Sequence, residues 1–430
     1  MQRTTGKNGR PRSFIYHLHP PRVARSAIRF DRTFGLGGMA LLLFLILALT
    51  GLLLRFAYIP TPAEAYDSIL LINQDILFGR FVRNIHYWSG ILMVIVTFLH
   101  FVRTFLAQAY YDERRVNWLL GLALLVVVVF SNFTGYLLPW DQLSFWAVTV
   151  ATNMLDYFPV VGKAMQDIVR GGADVSSATL LNFFTFHTGI LPVLMIIVMV
   201  YHFWKVRKAK GVAIPLDAKD TERVPSNPDL LIRELVVGLV LIAVILLLSV
   251  FFSAPLQDRA NPAFSPNPAK APWYFMGVQE LLLHMHPFFS VIVMPLLFFA
   301  AMVYLPYYHW KDPSPGRWFH SERGKKLSVQ SAFLAVVFTP VVVLVDEYVF
   351  RIKDWALGTR LFISQGVIPF VILMVTLGVY VMYLKKIRKA GSIEIVIALF
   401  TVFVVSYIVL TIVGIWFRGE GMALVWPWSS

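Results

Sequence analysis

The stretch that decides the fold is Asn84-Ile-His86-Tyr-Trp-Ser-Gly-Ile-Leu-Met-Val-Ile-Val-Thr-Phe-Leu-His100, read with His187-Thr-Gly-Ile-Leu-Pro-Val-Leu-Met-Ile-Ile-Val-Met-Val-Tyr-His202. Each is an apolar run with a histidine near either end, and an ionisable group inside such a run is costly unless something partners it. The two pairs are separated by 14 and 15 residues. At about 1.5 Å rise per residue, each pair spans about 21 Å of one helix face. Neutral imidazole is a strong iron ligand, so two facing helices with such pairs can clamp two haems stacked across a bilayer. A lone histidine more often satisfies a polar network between helices. Four at matching depths point to ligation.

Composition agrees with a membrane setting. In 430 residues, 58% are hydrophobic and 14% charged, far from soluble averages. Apolar runs long enough to span a bilayer fall near 36–56, 85–107, 117–137, 183–204, 234–253, 288–306, 330–349, 363–384 and 393–417. The sequence predicts an all-α polytopic membrane protein, with a four-helix haem-binding bundle followed by about five further spans. The first 32 residues carry eight basic residues and no short apolar core with a cleavage site, so a surface segment over 11–32 is expected rather than a secretory signal. There is no cysteine, which excludes covalent c-type haem, cysteine-bound iron–sulfur clusters and disulfides within the chain.

With the N-terminus cytoplasmic, the inner segments hold 26 basic residues and the outer ones 10. The net charge of +14 therefore fits topology and anionic lipid, with no nucleic-acid partner. Spans two and four then both start outside. His86 and His187 lie near the outer face, and His100 and His202 lie deeper. Gly37 with Gly51, and Gly121 with Gly135, repeat the 14-residue step on spans one and three. Glycine admits close approach where a side chain would collide, as a haem plane beside the helix requires.

The segments 84–100, Gly135-Tyr-Leu-Leu-Pro-Trp-Asp-Gln-Leu-Ser-Phe-Trp146 and 187–202 resemble the cytochrome b subunit of quinol:cytochrome c (or plastocyanin) oxidoreductases. The 15-residue step in span four and Pro139-Trp-Asp-Gln142 are more similar to the plastid and Gram-positive branch, which often splits the protein after span four. The basic stretch 205–230 resembles that junction, fused. The likeness covers residues 30 to about 310, and the last three spans match only in position and hydrophobicity. The plastid branch attaches an extra haem through a Tyr-Cys-Leu-Gly-Gly stretch, and Phe34-Gly-Leu-Gly-Gly38 here rules out that bond.

The resemblance implies two b-type haems, on His86/His187 and His100/His202, and an outer site for quinol oxidation. The family's Pro-Glu-Trp-Tyr is replaced by Ala271-Pro-Trp-Tyr274, so no carboxylate precedes Trp273 and Tyr274. Glu280, six residues on, is the candidate proton acceptor, with its pKa expected to rise by burial and with His284 and His286 as relays. It is also the type of residue that caps or pairs at a membrane surface. Tyr136 and the Pro139-Trp140 loop complete the expected pocket. At the inner face the resemblance implies quinone reduction near Asp229, with Arg207 and Lys208 close by. Each of these is equally what a helix start or a positive-inside segment carries. Arg83 and Arg103, one turn from His86 and His100, are placed to neutralise haem propionates.

The expected division is 1–32 as a cytoplasmic segment with a surface helix, 33–207 as the di-haem domain and 208–233 as a cytoplasmic linker. Residues 234–350 form a C-terminal domain with the quinol-site loop, and 351–430 add two transmembrane helices. Asp346 and Glu347 read as outer-surface charges, and the ninth span as a docking element. The family further implies a Rieske-type iron–sulfur protein and a c-type cytochrome as partners in a homodimeric complex, with a bacterial cytoplasmic membrane as the expected location. The quinone is left open by the family, and the altered 271–274 loop with the Gram-positive-like spacing points to menaquinol. Two rival classes are a di-haem anchor serving a dehydrogenase or hydrogenase, and a non-redox transporter whose histidines line a path.

Overall fold

The computed structural model describes residues 21–215, 222–351 and 360–428. In hydrocarbon every backbone polar group must be satisfied internally, so long apolar runs become helices. Among the described residues nine helices are long and apolar enough to cross a membrane: α1 Leu36–Arg55, α3 Gly79–Leu106, α4 Asp112–Tyr136, α7 Ser177–Lys208, α8 Ser226–Phe251, α10 Phe288–Tyr307, α11 Glu322–Phe350, α12 Phe362–Ile387 and α13 Ser392–Trp416. Shorter helices α2 Ala65–Gln74, α5 Gln142–Asn153, α6 Gly162–Arg170 and α9 Met276–His284 lie in the connections. The number and order of spans follow the sequence reading.

Boundaries differ in places. α8 is entered at Ser226, inside the expected linker; Asn227 is still extended (φ −112°, ψ 119°), and the regular helix opens at Pro228, whose missing donor is not needed in a first turn. Residues 11–20 of the expected surface helix lie outside the described residues. The described remainder begins with a strand: β1 Arg22–Ala24 pairs antiparallel with β2 Arg223–Pro225, Val23 opposite Val224. Prolines at 20 and 21 disfavour helix there. Helix is confined to the turns Arg25–Ile28 and Phe30–Thr33.

One core joins the helices that carry the histidines and glycines. Leu43 and Phe44 of α1, Met93, Val94 and Val96 of α3, Val127 and Val128 of α4 and Met195 of α7 pack together, with Leu241 and Ile245 of α8 closing it. A second core sets Phe101 and Phe105 of α3 and Trp118 of α4 against Met302 of α10 and Ile397, Phe400 and Val404 of α13. Phe105 and Phe400 stack at 3.6 Å between ring centres. The ninth span thus packs against this chain, while Phe403, Ile408, Ile412 and Trp416 stay exposed on it.

Candidate functional site

The four histidines meet as their spacing predicts. His86 and His187 face each other with ring centres 6.1 Å apart. His100 and His202 are near enough to interact electrostatically. A Cβ built on each glycine touches one of these rings: 3.1 Å from His86 Cε1 at Gly51, 2.5 Å from His187 Cε1 at Gly135, and 3.6 Å from His100 and His202 Cε1 at Gly37 and Gly121. Every predicted glycine thus sits behind one predicted histidine, and the outer pair is the tighter.

Hydrogen bonds set the outer tautomers. His187 Nδ1 lies 2.9 Å from the Ser131 carbonyl oxygen, which only accepts, so Nδ1 carries the proton and Nε2 presents a lone pair. Thr50 Oγ1 donates to the Ile46 carbonyl at 2.7 Å and so accepts from His86 Nδ1 at 2.9 Å. His202 Nδ1 is buried with no partner. Two imidazoles sharing one metal at about 2 Å each put their ring centres roughly 6 Å apart, close to the outer separation. No cluster of three or more His, Cys, Asp or Glu ligands occurs among the described residues. A two-histidine set suits an iron whose remaining ligands come from a porphyrin, so these residues fit b-type haem.

The end of the bundle expected to face outward is built by segments that hold one another. Arg83 is buried, and its guanidinium donates to the carbonyls of Ala254 at 3.0 Å and Pro255 at 2.7 Å. Asn84 donates to the Ser249 carbonyl and accepts from Ala254 N, both at 2.9 Å. Asp141 caps α5 through Ser144 N at 2.9 Å, and its other oxygen accepts from Gln257 N at 3.0 Å. These bonds fix the 254–261 loop against α3 and the segment after α4. Trp140 belongs to the buried cluster of Ala65, Leu137, Phe145 and Leu180, so it is core rather than pocket wall.

Trp273 and Tyr274 lie on the single turn Trp273–Phe275, which packs against the outer end of α4 through Phe275 on Phe133. Tyr274 is close enough to Tyr136 and Tyr87 to sense their charge, and burial, then those neighbours, raises its pKa. Trp273 Nε1 and Tyr274 Oη are both buried without a hydrogen-bond partner. Buried donors are rarely left so, and two side by side mark a place for a polar ligand atom.

Glu280 is fully buried and pairs with Arg418, Oε1 to Nη2 at 2.6 Å and Oε2 to Nε at 3.0 Å. His284 Nε2 lies 3.2 Å from Glu280 Oε1, and its Nδ1 lies 2.6 Å from Asp346 Oδ2. Arg418 Nη1 also meets Glu347 at 3.2 Å. Burial alone would raise the Glu280 pKa, but bonds from His284 and Arg418 hold it below the usual carboxylate value. The expected upward shift is thus reversed. Burial lowers and the two carboxylates raise His284, with a net rise. Asp346 is buried and Glu347 partly so, which corrects their reading as surface charges: α11 ends inside this network. His286 instead packs edge-on to Tyr157 and Phe362, apart from Glu280. Sequence reasoning missed Arg418. An arginine two residues past an apolar span on the outer side, against the charge bias, was the available signal.

At the inner face, Arg103 is buried, donates from Nε to the Arg32 carbonyl at 2.8 Å, and feels the charges of Arg114 and Arg32. Asp229 sits in the opening turn of α8, and Arg207 and Lys208 in the last turn of α7, beyond His202. Lys208 Nζ lies over the Trp204 ring at 4.4 Å.

A sequence profile described as cytochrome b/b6/petB matches residues 24–210. A cytochrome b6 of Synechococcus elongatus is 41% identical over 181 residues, 42% of this chain and 84% of that one. The chain belongs to the cytochrome b family. A cytochrome b6 of Heliomicrobium gestii is 39% identical over 183 residues, 43% of this cytochrome b and 85% of its own length. A solved chain titled "Hyperthermophilic respiratory Complex III" superposes with a TM-score of 0.66 at 22% identity, over 92% of this cytochrome b and 93% of that chain. The b6-like part ends near α7, while the fold likeness continues through the C-terminal half. The two halves are fused in this 430-residue cytochrome b.

Proposed function

We propose that this cytochrome b oxidises quinol at the outer face and reduces quinone at the inner face of a bacterial cytoplasmic membrane, within a Rieske/cytochrome bc-type complex. The observation that carries the proposal is the pairing of four histidines with four glycines, with Nε2 of His86 and His187 left free by their Nδ1 bonds. His86 and His187 would hold the outer haem and His100 and His202 the inner one. When bound, the haems supply a one-electron path between the faces, while a Rieske-type iron–sulfur partner takes the other electron of each quinol and passes it to a c-type cytochrome.

The chain's own residues bind, orient and move protons. Trp273 Nε1 and Tyr274 Oη would donate to the quinol oxygen, with Tyr136 as the facing wall. The network of Glu280, His284 and Arg418 follows directly on α9, and to it we assign release of the quinol protons. Asp229 and Arg207 are the inner-face counterparts, for uptake and for holding the quinone. Release outside and uptake inside make the cycle proton-translocating. Arg103 and Arg32 would face the inner haem carboxylates, while Arg83 and Arg114, each committed to two carbonyls, chiefly hold the outer loop and the end of α7. Menaquinol is the proposed substrate, the N-terminus is assigned to the cytoplasm, and the complex is assigned as a homodimer.

The test is a redox titration of the purified complex by visible spectroscopy, in wild type and His202→Ala. Two b-type haems of separate potential, with the variant losing one, are expected. One haem or none in the wild type would return the histidines to packing or transport.

A further inference from the structure

The charged cluster along α9, the helix that follows the Trp273–Phe275 turn, gathers Glu280 and His284 from α9, Asp346 and Glu347 from the end of α11, and Arg418 from beyond α13. Arg351 follows on the same turn, its backbone N–H on the Asp346 carbonyl at 2.6 Å. Around His284 the geometry accommodates two protonation states. Nδ1 faces only a carboxylate, at 2.6 Å, and carries its proton in both. Nε2 has two neighbours of opposite character. When bare it accepts from Arg418 Nη2 at 3.4 Å, and when protonated it donates to Glu280 Oε1 at 3.2 Å. A ring nitrogen with one donor and one acceptor in reach can gain or lose a proton without leaving a buried group unpaired, and so without the desolvation cost that such orphans carry. Glu280 has no such freedom, because Arg418 binds both of its oxygens.

We infer that Nε2 of His284 is the atom that accepts the proton released at the outer quinol site, and that Asp346 carries it on toward the outer face. The inference rests on the quinol-oxidation reading and names which group within the network moves the proton. Glu280 is then the fixed counter-ion and Arg418 a positioning residue. The step moves one proton and no electrons: Nε2 takes a proton from the pocket side to give the imidazolium, Nδ1 gives its own to Asp346 Oδ2, Asp346 releases it outward, and exchange of the remaining proton from Nε2 to Nδ1 restores the starting tautomer. Arg418 lies past the ninth span, so that span completes the proton exit of this cytochrome b.

The test uses the assembled complex and a short-chain naphthoquinol, following outer-haem reduction against pH in wild type, His284→Gln, Asp346→Asn and Arg418→Gln. Neutral His284 accepts, so the wild-type rate falls as pH drops through the raised His284 pKa, above 6.5. His284→Gln is expected to slow kcat about a hundredfold, with KM and both haem spectra kept and the acid limb gone. Removing the positive Arg418 moves the limb to higher pH, and removing the negative Asp346 moves it lower. Wild-type rate and limb in His284→Gln would overturn the inference. Should that variant fail to assemble, an unchanged rate and limb in Asp346→Asn would do the same. A wild type that holds both haems yet does not oxidise the naphthoquinol would instead sink the quinol reading, and the inference with it.

Discussion

Gly135→Ala and Gly121→Ala place the same methyl group on the same helix, α4, fourteen residues apart, and should differ sharply. At Gly135 the new Cβ would stand 2.5 Å from His187 Cε1 and 3.0 Å from Nδ1, whereas at Gly121 it would stand 3.6 Å from His202 Cε1. Carbon atoms prefer about 3.5–4.0 Å, so the His187 ring must retreat by about 1 Å and the His202 ring need not move. Forcing a methyl into a packed site costs about 1–3 kcal/mol. The 2.9 Å bond from His187 Nδ1 to the Ser131 carbonyl is lost with the retreat, adding about 0.5–1.5 kcal/mol. A total of about 2–4 kcal/mol corresponds to haem held roughly thirtyfold to several-hundredfold more weakly at the outer site. The assay is the rate at which each b haem passes to an apo-globin acceptor, with the two haems separated by their spectra. Gly135→Ala should lose the outer haem selectively, and Gly121→Ala should keep both. Equal loss rates in the two variants, or faster loss from Gly121→Ala, would refute the assignment of these glycines as site-specific clearances.

Other outcomes follow from the same geometry. Asp141→Ala removes both the cap of α5 and the anchor on Gln257 N. It should destabilise the outer loops by about 2–4 kcal/mol, read as faster proteolysis within 254–261 without haem loss. Arg83→Lys keeps the charge but cannot reach both loop carbonyls as the guanidinium fork does. Hydrogen exchange at Ser253 and Ala254 should rise, and the quinol KM with it. Docking of the C-terminal tail should be most stable between pH 4.5 and 6.5. The lowered Glu280 pKa contributes above its ordinary 4.5 and is lost as pH falls through its folded value, while the raised His284 pKa contributes below 6.5 and is lost as pH rises through its folded value. Limited proteolysis after Trp416 across pH checks this, and a flat profile would contradict the pairing.

The meeting of the four histidines with the four glycines was legible because its information is periodic. Fourteen- and fifteen-residue steps on helices fix depth and face together, and the glycines repeated the histidine step on the neighbouring spans. The charge network was not, because its members are joined only by tertiary folding: Arg418 lies 138 residues from Glu280, and His284 lies 62 from Asp346. Asp346 and Glu347 look like any charged span end until the fold supplies their partners. Glu280 shows how type and position can be readable while state is not. Burial was foreseeable and pushes its pKa up, but the sign depends on a cation that no local pattern announces. The role of Arg83 was obscured in the same way, since its partners are backbone carbonyls 171 and 172 residues away.

The ninth span links these two levels. It packs on α9 at the outer end, where Gly277 admits Tyr407 and Thr411, and Gly414 admits Met276. Tyr407 Oη donates to the Tyr274 carbonyl at 2.6 Å, and Lys270 Nζ donates to the Ile415 carbonyl at 2.8 Å. The Trp273–Phe275 turn is therefore gripped from two sides, by Phe133 of the histidine-bearing bundle and by α13. At its inner end the same helix stacks Phe400 on Phe105 of α3, one turn beyond His100. A helix with protein on several sides has no reason to be amphipathic, which accounts for the apolar character of α13 all round. The span beyond the region shared with the b6 relatives thus holds the Trp273–Phe275 turn in register with the histidine-bearing helices, and a substitution in α13 should be felt at Tyr274 before it is felt at any histidine.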